Sequence, residues 1–569
     1  MQNKSLRDYL NQLQELVKLS NYEDCIKLLN DAIYDYPDDN KLKLNLGNIY
    51  KLLDQTTKAI DTYSSLTSSD LGALANNNLS LIYLELGQLD RSIEHAEKAL
   101  EINQDYDDAK FNLALAHFNK KNLSKSSLLL EDLQSSKEFS SRAMELKIRI
   151  QQINCDWSKW NDTHYLLSSN KLTVHPFLHV SHINDEKLNF INARDWANNE
   201  SLHDKPTINM TKKPGVKIKL GFFCGEIRNH PTFHLIKNLF KEIDRNKFII
   251  TMFSYDHEEL EKNYIKNEFH DFVDISNMKR NEANECIKNF DIDVLIDLTT
   301  IISDNRQYIL DNDSAKIIIA YLAFPGTTGN VLYDYILTDS TTTPIHQQKY
   351  YTEKFLFLPN TYQVNDGKLN TLDTPSREKF NLPTKGIILG SLNQSFKLDP
   401  QTFNIWMEIL KNFDDTYLWL LDEGADMRAN IKACSENYVD SNRIIFAEKV
   451  DRSTHLSRIK LIDIALDTLI YNGHTTTLEM LQSGVPVVTC KGNHFASRVS
   501  ASLLNTLGVS DLIANDIHSY RNIIVNLIKD KSALERIKEK INLNLKRSNL
   551  FDIKGFAGSF ERAITSLFT

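Results

Sequence analysis

The first 140 residues repeat a pattern of apolar and polar positions every 33 to 34 residues. Each period contains two stretches in which apolar residues return every three or four positions, as in NLSLIYLELGQLDRSIEHAEKALEIN. The recurring positions are a ring-bearing residue and a leucine four residues before it: Tyr50, Tyr83 and His117, preceded by Leu46, Leu79 and Leu113. This periodicity predicts four pairs of amphipathic helices, the first and last degenerate, with the recurring side chains packed between helices.

The pattern changes after residue 140. Residues 141–214 first keep the helical spacing and then lose it where Pro176, Pro206 and Pro214 occur, which predicts a helical linker. From residue 216 onward, short runs of β-branched and apolar residues alternate with helical stretches. Such alternation is typical of parallel sheets that are covered by helices on both faces.

These short runs form two successive series. The first comprises VKIKLGFF, KFIITMFS, DVLIDL, AKIIIAYLAF and YILTD, and the second comprises GIILGSL, TYLWLL, RIIFAE, IDIALDT and PVVTC. They predict two doubly wound, Rossmann-like α/β lobes at residues 215–370 and 371–569, with the boundary near residues 365–385. Two such lobes facing a cleft resemble the GT-B plan of nucleotide-sugar transferases, in which ligands are expected outside the carboxyl ends of the strands.

Composition excludes several classes of protein. The chain has 569 residues, with 66 Lys and Arg against 75 Asp and Glu, 41% hydrophobic and 25% charged residues, so we expect folded cores rather than disorder. Its net charge of −9 argues against holding nucleic acid by bulk charge. The six cysteines form no CxxC pair, the chain opens without an apolar segment, and no run approaches 18 apolar residues. We therefore expect a soluble, cytoplasmic protein without disulfides, zinc or stable membrane insertion.

The segment DIALDTLIYNGHTTTLEML is the best candidate for binding a phosphate. A buried strand is predicted to end near Thr468, and Gly473 then allows a turn into an amphipathic helix. Thr475 and Thr476 fall in the first helical turn, where free N–H groups favour an anion such as a diphosphate. Glu479 lies one turn further on, within reach of a ribose diol. An ordinary threonine cap with a turn glycine is the structural alternative.

Other candidates follow predicted strands in both lobes. In IILGSLNQSFKLDP, Lys397 stands at a strand carboxyl end, where it can neutralise a leaving phosphate or simply be a surface lysine. In LGFFCGEIRNHPTFHL, Glu226 and His230 suit general acid–base chemistry, although Asn and Pro there also suit a helix start. The Asp291-Ile292-Asp293 triplet precedes its strand, so we interpret it as solvated rather than metal-binding.

Five motifs occur in order behind the repeats: NHPTFHL, FPGTTG, NQSFKLDP, NGHTTTLEML with SGVPVVT, and ASRVSASLL. The repeats resemble tetratricopeptide repeats. Taken with Cys155-Asp156-Trp157, the motifs resemble the O-GlcNAc transferase/SPINDLY family, glycosyltransferase family 41. The resemblance covers essentially the whole chain, and it implies a tetratricopeptide solenoid followed by a GT-B transferase.

The resemblance also implies the roles of individual residues. Those implied to hold the nucleotide diphosphate or lie beside it are Lys397, His474, Thr475, Thr476 and Gln394, and Glu479 is implied to bind ribose. The motif VDRSTHLSR resembles the base-recognition loop, which implies that Val450, Arg452, His455 and Arg458 lie near the nucleobase and ribose. Those implied to line the sugar pocket are His230, Thr232, Leu322, Ala323, Phe324 and Pro325, while Glu226 matches an aspartate discussed as a base.

Two departures from the animal-type pattern affect these implications. Phe177 stands where the animal enzymes carry a histidine proposed as a base, so a mechanism that needs that histidine is in doubt here. The long insertion between the animal lobes is replaced by the short 365–385 linker.

We expect a metal-independent, inverting glycosyltransferase without a cofactor. It would transfer N-acetylglucosamine from UDP-GlcNAc to Ser or Thr of protein acceptors captured by the repeat surface. The catalytic candidates are Lys397, His230 and Glu226, and the proton acceptor stays open between His230, Glu226 and the α-phosphate oxygen. The alternatives are an O-fucosyltransferase using GDP-fucose, a non-catalytic repeat scaffold, and a transferase acting on lipid or cell-wall acceptors. Repeat arrays often self-associate, so a homo-oligomer is an alternative to a monomer.

Overall fold

A computed structural model describes residues 4–19, 21–133, 136, 139–197, 215–302, 305–367 and 373–568. The chain divides into two compact units, Met1–Ile150 and Gln151–Thr569. The predicted boundaries at 214 and 370, and the prolines at 206 and 214, lie outside the described residues.

The first unit is a series of helix pairs, as the 33-to-34-residue period predicts. Its helices are α1 (Leu6–Lys18), α2 (Tyr22–Asp35), α3 (Asn40–Leu52), α4 (Thr56–Ser64), α5 (Gly72–Glu85), α6 (Leu89–Ile102), α7 (Asp107–Asn119) and α8 (Leu123–Asp132), and α9 (Ser140–Ile153) follows them. The recurring Leu46, Leu79 and Leu113 are all buried, and so are Tyr83 and His117. The recurring positions are therefore packing positions, because neighbouring helices bury them against each other.

Three short helices and a seven-stranded parallel sheet open the second unit. The helices are α10 (Trp160–Ser168), α11 (Pro176–Val180) and α12 (Glu186–Ala197). The strands are β1 (Ile218–Cys224), β2 (Phe248–Ser254), β3 (Asp271–Asp274), β4 (Val294–Asp297), β5 (Ile317–Ala320), β6 (Tyr335–Asp339) and β7 (Lys354–Leu358), in the order β3-β2-β1-β4-β5-β6-β7. Between them lie α13 (Pro231–Ile236), α14 (Leu239–Glu242), α15 (Glu259–Ile265) and α16 (Arg280–Lys288).

A six-stranded parallel sheet forms the second lobe. Its strands are β8 (Ile387–Ser391), β9 (Thr416–Leu421), β10 (Ile444–Ala447), β11 (Ile464–Leu466), β12 (Val487–Cys490) and β13 (Ile513–Ala514), in the order β10-β9-β8-β11-β12-β13. Its helices are α17 (Pro400–Lys411), α18 (Ala425–Ser435), α19 (Arg452–Arg458), α20 (Thr475–Gln482), α21 (Val499–Leu507), α22 (Ile517–Lys529) and α23 (Lys531–Asn544), and α24 (Ile553–Thr565) ends the chain. The predicted fold class, a helical repeat region followed by two parallel α/β sheets, is confirmed.

Strand order reverses once in each sheet, and this determines where the loops converge. The reversal lies between β1 and β4 in the first sheet and between β8 and β11 in the second. Adjacent strands there send their connections to opposite faces, which leaves a crevice at their carboxyl ends. The segments after β1, β8 and β11 contain the motifs that the sequence singled out.

Two details differ from the sequence-based expectations. The last helix, α24, packs against α14 and β7 of the first sheet, although the sequence assigned it to the second lobe. Asp293 is buried rather than solvated. Its carboxylate is stabilised there by hydrogen bonds that it accepts from the Lys219 N–H (2.8 Å) and the Lys316 ammonium (2.7 Å). Within the described ranges, no helix is both long and apolar enough to cross a membrane.

Candidate functional site

A short turn carries Lys397 into the crevice of the second sheet. After β8 the chain forms a 3₁₀ turn, Ser395–Lys397, and Asp399 then caps α17 by accepting from the Thr402 N–H at 2.9 Å. The Lys397 ammonium donates to the Asn472 carbonyl oxygen (3.0 Å) and lies 4.5 Å from the centre of the Tyr471 ring. Burial lowers the pKa of Lys397 to about 8, against the opposing effect of the Asp467 carboxylate.

The turn that follows β11 lies against the same crevice. The Gly473 N–H donates to Asp467 Oδ1 at 2.6 Å, and Thr489 donates to the other carboxylate oxygen at 2.6 Å. A Cβ on Gly473 would lie 2.6 Å from Thr477 Oγ1, so only glycine allows this close approach. His474 stacks on Tyr471 with ring centres 4.9 Å apart. Burial, with the nearby Lys397 cation, holds the pKa of His474 well below its usual range, so the ring is neutral at pH 7.

The N-terminus of α20 is open to a ligand. Among the described residues, no side chain caps this helix, whose N-cap is His474. Five other helices of this half of the chain begin with an aspartate that accepts a backbone N–H: α17, α19, α22, α23 and α24. The first-turn N–H groups of Thr475 and Thr476 are therefore available to an anion, with the Lys397 cation beside them. The predicted phosphate candidates thus converge at the switch point of the second sheet.

Glu479 connects this helix to the predicted base-recognition loop. Glu479 is buried, and its carboxylate lies 2.7 Å from Arg452 Nη1 and 3.8 Å from His455 Nε2. Burial raises the pKa of Glu479, and burial lowers the pKa of His455 to about 4. The structure therefore places two of the predicted nucleoside contacts, Arg452 and His455, around the buried carboxylate of the third, Glu479.

The other predicted members of the nucleotide site differ in exposure. Val450 and Gln394 are exposed. Arg458 is only 1% exposed, donates to the Glu448 carbonyl oxygen at 2.6 Å, and lies 5.6 Å from the Trp419 ring. Arg458 is therefore packed inside the lobe, a placement that a sequence match alone cannot reveal.

The segment after β1 forms a histidine–carboxylate pair in the first lobe. His230 is the N-cap of α13, and its Nδ1 lies 3.1 Å from Glu226 Oε2 and 3.4 Å from the Thr232 N–H nitrogen. Glu226 is buried and also accepts from Arg228 Nε at 3.2 Å. Two groups compete for Nδ1, because the Thr232 N–H can only donate to it and the Glu226 carboxylate can only accept from it. We assign the hydrogen to Nδ1, toward the closer carboxylate and in place of the bond from Thr232, which leaves Nε2 to accept a proton. Burial, aided by the Arg228 cation, lowers the pKa of His230 to about 4.

A strained turn follows β5 in the predicted sugar pocket. Leu322 has a φ of +79°, and the Ala323 N–H donates to the Tyr321 carbonyl oxygen at 3.1 Å, which closes a γ-turn. Such a backbone costs about 1–3 kcal/mol and persists only where the surroundings hold it. Here the next residues, Phe324 and Pro325, are buried. The strain therefore marks this turn as a constrained part of the cleft.

The two lobes meet at a cavity of about 360 Å³. Its lining residues come from both lobes: His234, Lys237, Asn238, Tyr264, Asp366, Arg452, Ser453 and Leu456. The helix that begins at His230 thus lies opposite Arg452, which holds Glu479 on α20. The cavity is therefore lined by the helix that follows His230 and by Arg452, the ion-pair partner of Glu479.

The structure adds residues that the sequence interpretation left out. Asp467 is fully buried at the end of β11 and accepts a hydrogen bond from the Gly473 N–H. The Tyr471 ring contacts both the Lys397 ammonium and the His474 ring. The place of Asp467 after a β-branched run was a signal that could have pointed to it. Phe177 packs against Phe396 and Tyr471, with ring centres 5.5 and 5.8 Å away. The apolar ring of Phe177 therefore packs against Tyr471, the ring that contacts Lys397, at the position where the animal pattern has a titratable histidine.

Two doubly wound parallel α/β sheets, with a cavity lined by residues of both lobes, define the GT-B class of fold. The sequence model of Glycosyl transferase family 41 matches residues 197–373 and 367–560, and a tetratricopeptide repeat model matches residues 73–106. This chain belongs to glycosyl transferase family 41, and the predicted resemblance is confirmed.

Individual relatives agree with this assignment. A probable UDP-N-acetylglucosamine–peptide N-acetylglucosaminyltransferase, SEC, of Arabidopsis thaliana is 31% identical over 359 residues, which are 61% of this chain and 36% of SEC. A UDP-N-acetylglucosamine–peptide N-acetylglucosaminyltransferase of Caenorhabditis elegans is 25% identical, over 61% of this chain and 40% of its own length. This chain therefore spans well under half the length of these two relatives.

One solved structure shares the fold over most of the chain. It is a mutant O-GlcNAc transferase of Thermobaculum terrenum, with a TM-score of 0.74, 22% identity, and coverage of 87% of this chain and 97% of that one. At this identity the likeness establishes the fold.

Proposed function

We propose that this chain is an inverting protein O-glycosyltransferase that moves N-acetylglucosamine from UDP-GlcNAc to Ser or Thr hydroxyls. The observation that carries the proposal is the N-terminus of α20, which has no side-chain cap among the described residues and lies beside Lys397. The His230–Glu226 pair follows β1, at the switch point of the other sheet. Membership of glycosyl transferase family 41 and the names of the two relatives support the donor.

The second lobe would hold the donor and stabilise the leaving group. The diphosphate would lie against the N–H groups of Thr475 and Thr476, with the Lys397 ammonium meeting the negative charge that develops as the glycosidic bond breaks. Glu479, one helical turn on, would accept hydrogen bonds from the ribose hydroxyls, and Arg452 holds its carboxylate in place. His474, stacked on Tyr471, would fix the start of the helix.

The first lobe would activate the acceptor. His230 Nε2 is placed to accept the proton of the attacking hydroxyl, because Nδ1 is engaged by Glu226. The buried carboxylate would then stabilise the imidazolium that forms. The hydroxyl oxygen attacks the anomeric carbon as the bond to the diphosphate breaks on the opposite side, which inverts the anomeric centre.

The repeat unit would supply a surface for extended segments of protein acceptors, as helical repeat arrays commonly do. A GDP-fucose donor and a non-catalytic scaffold remain the competing functions. The nucleotide that binds distinguishes the fucosyltransferase from the proposed function. Consumption of the donor distinguishes an enzyme from the scaffold.

Thermal stabilisation by nucleotides, followed by a transfer assay, tests the function. The purified chain is heated with UDP, UDP-GlcNAc, UDP-glucose, GDP or GDP-fucose, and a ligand at 100 times its Kd should stabilise it by about 2.7 kcal/mol. We expect shifts with UDP and UDP-GlcNAc but not with GDP or GDP-fucose, and a mass increase of one N-acetylhexosamine on Ser/Thr peptides. Shifts with GDP and GDP-fucose would move the function to fucosylation, and no shift with any of them would favour the scaffold.

A further inference from the structure

The segment Ile153–Trp157, which contains the Cys-Asp-Trp motif, lies against the turn that carries Lys397. The Ser395 hydroxyl donates to the Ile153 carbonyl oxygen at 2.7 Å. In the opposite direction, the Cys155 thiol donates to the Ser395 carbonyl oxygen at 3.9 Å. The first residue of the Ser395–Lys397 turn is therefore held through both its side chain and its backbone.

This segment is itself firmly placed. Cys155 is fully buried and has a φ of +49°, a conformation that a residue with a Cβ adopts only where its surroundings impose it. The Trp157 ring packs 5.3 Å from Phe403 on α17, and Asn430 on α18 donates to the Asn154 carbonyl oxygen at 2.9 Å. The segment is thus anchored to two helices of the second lobe besides its contact with the turn.

The lysine turn needs outside support. It is a single 3₁₀ turn, closed by the Leu398 N–H on the Ser395 carbonyl oxygen at 2.9 Å, and such turns have weaker hydrogen-bond geometry than an α-helix. The Lys397 side chain is a flexible four-carbon stem, so the direction of its ammonium depends on where the turn sits. A small displacement of the turn would move the cation away from the start of α20.

We propose that Ile153–Trp157 is a positioning element for Lys397, acting through the hydrogen bond from Ser395 Oγ to the Ile153 carbonyl oxygen. The inference rests on the proposed function in one respect, since Lys397 is assigned there to the leaving diphosphate. In this proposal the segment acts through the turn and not by contact with donor or acceptor. Its effect is to hold the ammonium where charge develops in the transition state.

The first test compares kinetics of three variants of the full chain with UDP-GlcNAc as donor. Ser395→Ala removes the bond to Ile153 and should lower kcat about 10- to 100-fold, with KM for the donor within about twofold, because an interaction of the transition state is lost. Ser395→Thr keeps the hydroxyl and should restore most of kcat. The matched control Asn430→Ala removes a hydrogen bond of similar length to the same segment, away from the lysine turn, and should keep kcat within about twofold.

The second test reads Lys397 directly and needs no turnover. Lysine acetylation by acetic anhydride is followed by mass spectrometry from pH 6 to pH 11. In the native chain burial lowers the pKa of Lys397 to about 8. If Ser395→Ala lets the turn move, the Lys397 ammonium becomes hydrated and its pKa should rise toward the ordinary lysine range. Asn430→Ala should leave the pKa of Lys397 unchanged.

The outcomes separate this inference from the proposed function. An unchanged Lys397 titration in Ser395→Ala, or an equal shift in Asn430→Ala, would overturn the positioning role. Absence of transfer by the native chain would instead contradict the proposed function and leave the labelling result valid. If Ser395→Ala does not fold, Cys155→Ala removes the second contact to the same turn and should shift the titration in the same direction.

Discussion

At the scale of single residues, the site depends on groups that burial holds in particular charge states. Burial lowers the pKa of His230 to about 4 and that of Lys397 to about 8. At pH 7 the imidazole is therefore neutral and able to accept a proton, while the ammonium is still mostly charged. A neutral base and a cation are therefore both available at pH 7.

Replacing Lys397 tests the largest of these contributions. A preorganised charged donor at a developing anion is commonly worth about 3–4 kcal/mol, so Lys397→Ala should lower kcat about 100- to 1000-fold. Steady-state transfer from UDP-GlcNAc to a protein acceptor is the measurement. Near-full turnover by this variant would exclude the assigned role.

The pH dependence of kcat/KM for the donor provides a second test. The ammonium loses its proton as the pH rises through about 8, so kcat/KM should fall about tenfold per unit above that value. Lys397→Arg keeps its charge at higher pH and should flatten this alkaline limb, even at a lower plateau. An alkaline limb that is identical in both proteins would assign the titration to another group.

At the scale of elements, the start of α20 is the decisive feature. Its first-turn N–H groups have no side-chain cap within the described residues, and Asp467 ties the turn before it through the Gly473 N–H. The strand β11, the turn and the helix are thus tied together, as the proposed phosphate site requires. They are held by buried hydrogen bonds and by a close approach that only glycine permits.

Gly473→Ala should therefore weaken UDP binding about tenfold or more, because the added Cβ meets Thr477 Oγ1 at 2.6 Å and displaces the helix start. Isothermal titration with UDP measures the effect. Gly558→Ala on α24 is the control, since its Cβ would meet only the end of the Arg562 side chain at 3.4 Å. Equal Kd values for the two variants would contradict the close-packed turn.

At the scale of the whole molecule, the second unit is held together by chain segments that cross between lobes. Phe560 of α24 lies with its ring parallel to that of Phe222 on β1, with centres 6.5 Å apart. The nearly buried Glu561 accepts from the Lys247 ammonium at 2.9 Å and from the Asp244 N–H at 2.8 Å. Elsewhere, the Ser502 hydroxyl of α21 donates to Asp339 at the end of β6 at 2.8 Å. The end of the chain thus stabilises the first sheet.

Glu561→Ala should lower the free energy of unfolding by about 1–3 kcal/mol, because it leaves the Asp244 N–H without its acceptor. Urea denaturation measures the loss. Glu561→Gln, which keeps one acceptor oxygen, should recover part of it. UDP affinity should stay within about twofold in both variants, since α24 lies on a sheet that does not carry the phosphate site. A loss of UDP binding without a loss of stability would contradict this assignment.

The sequence by itself determined the element types and the order of the lobes. Leucines that recur every 33 to 34 residues predicted the helix pairs. Runs of β-branched residues such as those of β4 and β5 predicted buried parallel strands, because a strand buried on both faces needs continuous apolar residues. Position after a strand also predicted the phosphate candidates Lys397, Thr475 and Thr476, since the carboxyl ends of parallel strands meet at one edge.

Only the tertiary structure decided which side chains face the cleft and which support it. Arg458 matches a loop motif yet is packed inside the lobe, and Asp293 precedes its strand yet is buried by Lys219 and Lys316. Ser395 meets Ile153 from 242 positions away. Such contacts form between segments that are distant in the sequence. A local pattern of apolar residues cannot predict them, because burial and long-range pairing arise only when the chain has folded.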